Sequence, residues 1–84
     1  MEIRYTKAAI KALTKMPTNT AQLIRSKIRQ YAADPASLAN NVKKLQGPED
    51  GYRLRIGDWR VIFTQDGGIL DVLKIRPRGS AYED

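Results

Sequence analysis

The stretch Tyr52-Arg53-Leu54-Arg55-Ile56-Gly57-Asp58-Trp59-Arg60-Val61-Ile62-Phe63 decides the fold. Gly57-Asp58 reads as a two-residue hairpin loop, because glycine supplies the positive φ that a II′ or I′ turn needs. Ile56 then pairs with Trp59, and the ladder runs outward through Arg55 with Arg60, Leu54 with Val61 and Arg53 with Ile62. Directly opposed residues share a sheet face, and each strand alternates with a period of two. One face therefore gathers Tyr52, Leu54, Ile56, Trp59, Val61 and Phe63, a core face ready to receive helices. The other gathers Arg53, Arg55 and Arg60.

On the C-terminal side, Asp66-Gly67-Gly68 fits a three-residue loop with Gly68 in the left-handed position. That register predicts Leu73 and Ile75 beneath the helices, and Lys74, Arg76 and Arg78 on the basic face. It also leaves Asp71 pointing toward the core near Phe63. A two-residue turn would swap the faces of this strand.

On the N-terminal side, Glu2 to Tyr5 alternate as a short extended segment, and Thr6 can cap a helix through its hydroxyl. Ala9, Ile10, Leu13 and Met16 then recur at helical intervals up to Pro17, a first, short helix. Thr18, Asn19 or Thr20 can cap a second helix, whose apolar stripe is Ala21, Ile24, Ile28, Tyr31 and Ala32. Asp34-Pro35 ends it, since the residue before a proline is pushed out of the helical region. Two antiparallel helices are the expected outcome. From Pro35 to Gly51 the chain is polar and broken, with turn signals at Asn40-Asn41, Gly47-Pro48 and Asp50-Gly51, and with Val42 and Leu45 as anchors on the core.

Eighty-four residues leave room for one small domain, 1–84, and no second one. The expected architecture is α+β: an N-terminal strand, then two helices on one face of a mainly antiparallel sheet, in the order β-α-α-β-β-β. Cysteine and histidine are both absent. This excludes disulfides, thiolate nucleophiles, the usual zinc sets and every device built on imidazole, so neither a metal nor another cofactor is expected. No run approaches the ~18 apolar residues of a membrane span, and the start lacks an apolar signal-peptide core, which predicts a cytoplasmic protein with no membrane partner.

Fifteen Lys and Arg against nine Asp and Glu give a net charge of +6, in the range where polyanionic partners become plausible. An exposed sheet face must be polar in any case. Folding nevertheless gains nothing from Arg55 opposite Arg60, since like charges across a hairpin repel. Guanidinium forks suit bidentate grip on phosphate. Tyr82 lies past the last strand, in Gly79-Ser80-Ala81-Tyr82-Glu83-Asp84, where nothing apolar follows for it to pack with. It can wrap back onto the sheet or serve a site.

The order strand, two helices, a loop with Leu45-Gln46-Gly47, the Tyr52 to Phe63 block, Arg76-Pro77-Arg78 and a terminal Tyr82 resembles the RelE/ParE superfamily of type II toxins. The resemblance covers essentially the whole chain, and Arg78 with Tyr82 brings it closer to the RelE branch. It implies a toxin that cleaves messenger RNA in the ribosomal decoding site. It also implies a cognate antitoxin, RelB-like or of another type II class, which wraps the toxin and reaches operator DNA only as the complex. By position the resemblance carries the site to Arg53, Arg55, Arg60, Arg78 and Tyr82. Arg60, Arg78 and Tyr82 are then the catalytic candidates, and Arg53, Arg55, Lys74, Arg76, Lys43 and Lys44 the phosphate-binding ones. Two departures stand out: the strand pair, often lysine in ribosome-dependent members, is arginine here, and Pro77-Arg78 replaces a common His-Arg.

The chemistry suits such a set. RNA is cut when its 2′-hydroxyl attacks the adjacent phosphate, which requires in-line positioning, stabilisation of charge on the phosphorane and proton transfer. Arginine supplies the first two but is a poor general base. A phenol acidified by surrounding cations, that of Tyr82, is the better candidate. Two alternatives remain: a ParE-like toxin that inhibits DNA gyrase without catalysis, and a basic binding module or degenerate toxin that keeps only the antitoxin groove.

Overall fold

The computed structural model describes residues 1–46 and 51–78. Five strands form one sheet in the order β1-β5-β4-β3-β2. They are β1 (Glu2–Tyr5), β2 (Val42–Lys44), β3 (Tyr52–Ile56), β4 (Trp59–Asp66) and β5 (Ile69–Pro77). Helices α1 (Lys7–Lys15) and α2 (Thr18–Ala33) follow β1, and a 3-10 stretch, Pro35–Asn41, leads into β2. All strand pairs are antiparallel except β1 with β5. This is the expected α+β architecture with one strand more than the sequence reading contained.

The helices bury their apolar stripes on one sheet face. Ala9 and Leu13 of α1 and Ile24, Ile28 and Tyr31 of α2 meet Leu54, Ile56, Val61, Phe63, Val72 and Ile75 of the sheet. At the centre Phe63 lies between two rings, with Tyr52 stacked at 5.5 Å and Tyr31 tilted at 5.2 Å. The Tyr31 hydroxyl donates to Gln65 Oε1 at 3.0 Å, so the buried phenol keeps a polar partner.

Thr6 caps α1 as expected, its Oγ1 accepting from Ala9 N at 3.1 Å. The second helix differs. It starts at Thr18 with Pro17 in the N-cap position and no side-chain cap, while Asn19 Oδ1 accepts from Thr20 N at 2.9 Å. Its C-terminal end is as expected at Asp34, whose N–H donates to Gln30 O.

The segment expected to be a broken loop contains the 3-10 stretch and β2. Val42 pairs with Leu54, Lys43 with Arg53 and Lys44 with Tyr52. Three residues are too few for alternation to show in a sequence, and the exposed edge of β3 supplies the pairing that creates the strand. Val42 and Leu45 are half-buried, as their role as anchors requires. The turn signals at Gly47-Pro48 and at Asp50 lie outside the described residues.

The β3–β4 register is the predicted one throughout, with Gly57 at φ +56. The β4–β5 connection is not. It is a two-residue turn, Gly67-Gly68, with Asp66 opposite Ile69, and the positive φ, +60, belongs to Gly67 rather than Gly68. This turn places Leu70 and Val72 under the helices and Asp71 on the open face opposite Thr64. The ladder then shifts between Ile62 and Phe63, skipping Leu73. A bulge of one residue swaps the faces back, so Ile75 is buried and Lys74 and Arg76 share the open face. The expected inward Asp71 is thereby corrected: its carboxylate meets Arg4, with Arg4 Nε 3.0 Å from Oδ1 and Nη2 3.3 Å from Oδ2. Leu73 is half-buried at the bulge rather than under the helices.

Candidate nucleic-acid interface

The open sheet face carries its cations in two rows. Arg55 pairs with Arg60 and Arg60 with Arg76, so three guanidinium groups stand side by side across β3, β4 and β5. Strands lie about 5 Å apart, and the row therefore spans about 10 Å of backbone. The neighbouring row runs Lys43, Arg53, Ile62, Lys74 across β2 to β5. Ile62 belongs to the open face by register, between Arg53 and Lys74, yet is only 8% exposed. Beyond these rows, Asp71 is engaged by Arg4, whose own proton is held more tightly because of that carboxylate.

Arg60 is held by the hairpin that presents it. Its Nη1 donates to Gly57 O at 2.9 Å and to Trp59 O at 3.0 Å. One terminal nitrogen thus fixes the group, and the rest of the fork stays available to an anion. Lys43, Arg53, Arg55 and Arg60 line a concavity of about 270 Å³ together with Asn40, Asn41 and Val42. Asn41 Nδ2 donates to Arg55 O at 3.4 Å. The two asparagines were read in the sequence only as a turn signal. The signal for a further role is that Asn41 stands two positions before Lys43, so that a strand at 42–44 turns both toward the arginines.

The structure thus brings Lys43, Arg53, Arg55, Arg60, Lys74 and Arg76 onto one face. Lys44 does not join them: opposite Tyr52, it takes the helix side of the edge strand. Arg78 follows β5, and its backbone N–H donates to Asp58 O at 2.6 Å, which ties it to the tip of the hairpin that holds Arg60. Tyr82 lies outside the described residues.

Comparison with known proteins identifies the scaffold. A family model described as the ParE toxin of type II toxin-antitoxin systems, parDE, matches residues 3–82. The chain belongs to that toxin family. The toxin is also 28% identical over 81 residues to a protein of Methanocaldococcus jannaschii bearing the toxin name RelE1, covering 93% of this chain and 90% of that one. The RelE–RelB complex of Pyrococcus horikoshii OT3 superposes with a TM-score of 0.78 at 29% identity, covering 95% of the toxin and 97% of the matched chain. The RelB–RelE antitoxin–toxin complex from Methanococcus jannaschii gives a TM-score of 0.74 at 21% identity, with 95% of each chain covered. The superfamily and fold expected from the hairpin block are therefore those of this toxin, and its likeness leans to the RelE side. Among the described residues no helix is long and apolar enough to cross a membrane.

Proposed function

We propose that this toxin is a metal-independent endoribonuclease that cuts messenger RNA in the decoding site of the ribosome. The observation that carries the reading is the Arg55, Arg60, Arg76 row beside a concavity lined by Arg53 and Lys43. Arg55 directly opposite Arg60 costs folding energy, as like charges across a hairpin do, and the pair is suited to an anion that bridges the two. Arg53, Arg55, Lys43, Lys74 and Arg76 hold the phosphates on either side of the cut. Arg60, fixed by two carbonyls, faces the phosphorane with its remaining N–H groups, and Arg78 adds charge from the far side of the hairpin tip. The 2′-oxygen attacks phosphorus, the bond to the 5′-oxygen breaks, and a 2′,3′-cyclic phosphate and a 5′-hydroxyl result. Tyr82, acting as the phenolate, takes the 2′-hydroxyl proton, and the departing 5′-oxygen takes a proton from water.

The toxin works in the cytoplasm and is silenced by a cognate antitoxin, as the RelE chains of the related complexes are found with RelB. The complex, not the free toxin, contacts operator DNA. A second reading is favoured by the ParE description of the matching family model: a toxin that poisons DNA gyrase. Purified toxin added to translating ribosomes separates the two. Cuts at fixed codon positions support the nuclease; gyrase poisoning with intact message supports the alternative.

A further inference from the structure

The helices carry a second cationic surface, on the side of the molecule away from the arginine rows. Between Thr6 and Ala33 the basic residues are Lys7, Lys11, Lys15, Arg25, Lys27 and Arg29, and there is no acidic one. On α1, Ala9 and Leu13 are buried while Lys7, Lys11 and Lys15 are exposed. Four-residue spacing advances about 6 Å per step along a helix, so the three lysines form a stripe on its outer side. Arg25 and Arg29 repeat the spacing on α2. The Arg25 guanidinium stands 5.1 Å from the ring centroid of Tyr5, two residues before Lys7, which brings the α2 pair to the start of the α1 stripe.

Folding does not account for this arrangement. Cations four residues apart on a helix repel. Lys7 occupies the first turn of α1, where the helix dipole disfavours positive charge, and neither helix has an acidic residue in its first turn to compensate.

We propose that this face of the helices is a second RNA-binding surface, which grips the phosphate backbone of a base-paired RNA element while the sheet face holds the strand to be cut. The proposal rests on the reading of the sheet face as an RNA site. The residue types differ between the two faces in a way that fits the division. The α1 stripe is lysine, a point charge suited to sequence-independent phosphate contact, whereas the sheet presents arginine forks. Tyr31, the aromatic residue of the two helices, is 5% exposed, and the half-buried ring of Tyr5 beside them carries the Arg25 guanidinium, so the helices offer no free platform on which unpaired bases could stack. A base-paired element needs none, since it presents phosphates and 2′-hydroxyls and keeps its bases paired. An acidic protein segment would also want apolar anchors along the stripe; of the large apolar side chains left open, Ile10 on α1 is 44% exposed and Leu23 on α2 is 50% exposed, and Leu23, two positions from Arg25, takes the other side of that helix.

The test uses the full chain with Lys7→Gln, Lys11→Gln and Lys15→Gln combined, and an uncleavable 2′-O-methylated RNA hairpin titrated between about 50 and 200 mM salt. Binding is expected to weaken at least ~10-fold, and the slope of log K against log salt to fall by about 2 to 3, roughly one unit per lost phosphate contact. The same loss is expected in a background carrying Arg53→Gln and Arg55→Gln, where the sheet face is disabled. Lysine→Arg at the three positions keeps the charge and should retain the original slope, which separates charge from packing. A slope change below about 1 overturns the proposal. So does a glutamine variant that loses affinity for a polyglutamate peptide and none for the hairpin. Because the probe cannot be cut, the two readings fail separately: toxin that leaves message intact but binds the hairpin through these lysines overturns the nuclease and supports the second surface. Ribosomal cleavage and hairpin affinity both unchanged by the triple substitution do the reverse.

Discussion

Arg60 is tied through Nη1 to the carbonyl of Gly57, the residue whose positive φ makes the turn three positions earlier. Turn and guanidinium are therefore one device: the hairpin that sets the register also orients the central cation of the row. In an apolar or solvated setting such a fork samples many rotamers, and holding one geometry before substrate arrives is what preorganised charge stabilisation requires.

The first expectation follows. Arg60→Ala should abolish growth inhibition while costing about 1 kcal/mol of stability, the net worth of a hydrogen bond or two to turn carbonyls. Arg78→Ala, at an exposed side chain, should abolish inhibition with a stability change within about 0.5 kcal/mol. Thermal melts beside a growth assay check both. Loss of the cooperative transition in either variant would mean a structural role had been mistaken for a site.

Charge and geometry can be told apart at the neighbouring strand. Arg53→Lys and Arg55→Lys keep the positive charge and lose the bidentate fork. Binding to programmed ribosomes should persist, while the cleavage rate falls. Equal rates for wild type and both variants would show that the fork is dispensable and that these positions act only as charge.

How much of this was legible in the sequence differs from strand to strand for physical reasons. The β3–β4 hairpin could be read because its whole core face alternates and a glycine marks the turn. For β5, two departures cancelled: a turn one residue shorter than expected inverted the faces, and the bulge at Leu73 inverted them again. Lys74, Arg76 and Ile75 therefore sit on the expected sides, whereas Asp71, ahead of the bulge, does not. Nothing local in Leu73 announces a bulge. Its cause is tertiary, because the cap of α1 reaches across to this point of β5. Asn40 and Asn41 were hidden for a related reason, since their place beside the arginines depends on β2, which exists only by pairing with β3.

That tertiary cause gives the third expectation. Thr6 Oγ1 accepts from Ala9 N and donates to Leu73 O at 2.6 Å, and Thr6 N donates to Val72 O at 3.0 Å. One hydroxyl thus caps a helix and holds the carbonyl at the bulge. Thr6→Ala should lose the cap, worth about 0.5–2 kcal/mol, and a further ~1 kcal/mol from the second bond. Thr6→Ser keeps the hydroxyl and should recover most of the loss. Denaturant melts decide it: an alanine variant as stable as wild type would mean that the bulge is set by β4 and β5 alone.

The last expectation concerns the proton. The chain has no histidine, and of the carboxylates that β4 and β5 carry on the open face, Asp71 is engaged by Arg4 and Asp66 lies at the opposite end of β4 from Arg60. A phenol is then the side chain whose neutral-to-anionic change is most accessible beside several cations, which favour the anion. Tyr82→Phe keeps a ring able to stack on a base and deletes only the hydroxyl, so stacking and proton transfer become separable. If the hydroxyl takes the 2′ proton, single-turnover cleavage on ribosomes should fall by roughly 10²–10⁴-fold with affinity little changed. A phenylalanine variant that cuts at the wild-type rate would reduce Tyr82 to a stacking platform. Proton transfer would then belong to the ribosome, the message or solvent, and the toxin's contribution would be the arginine rows alone.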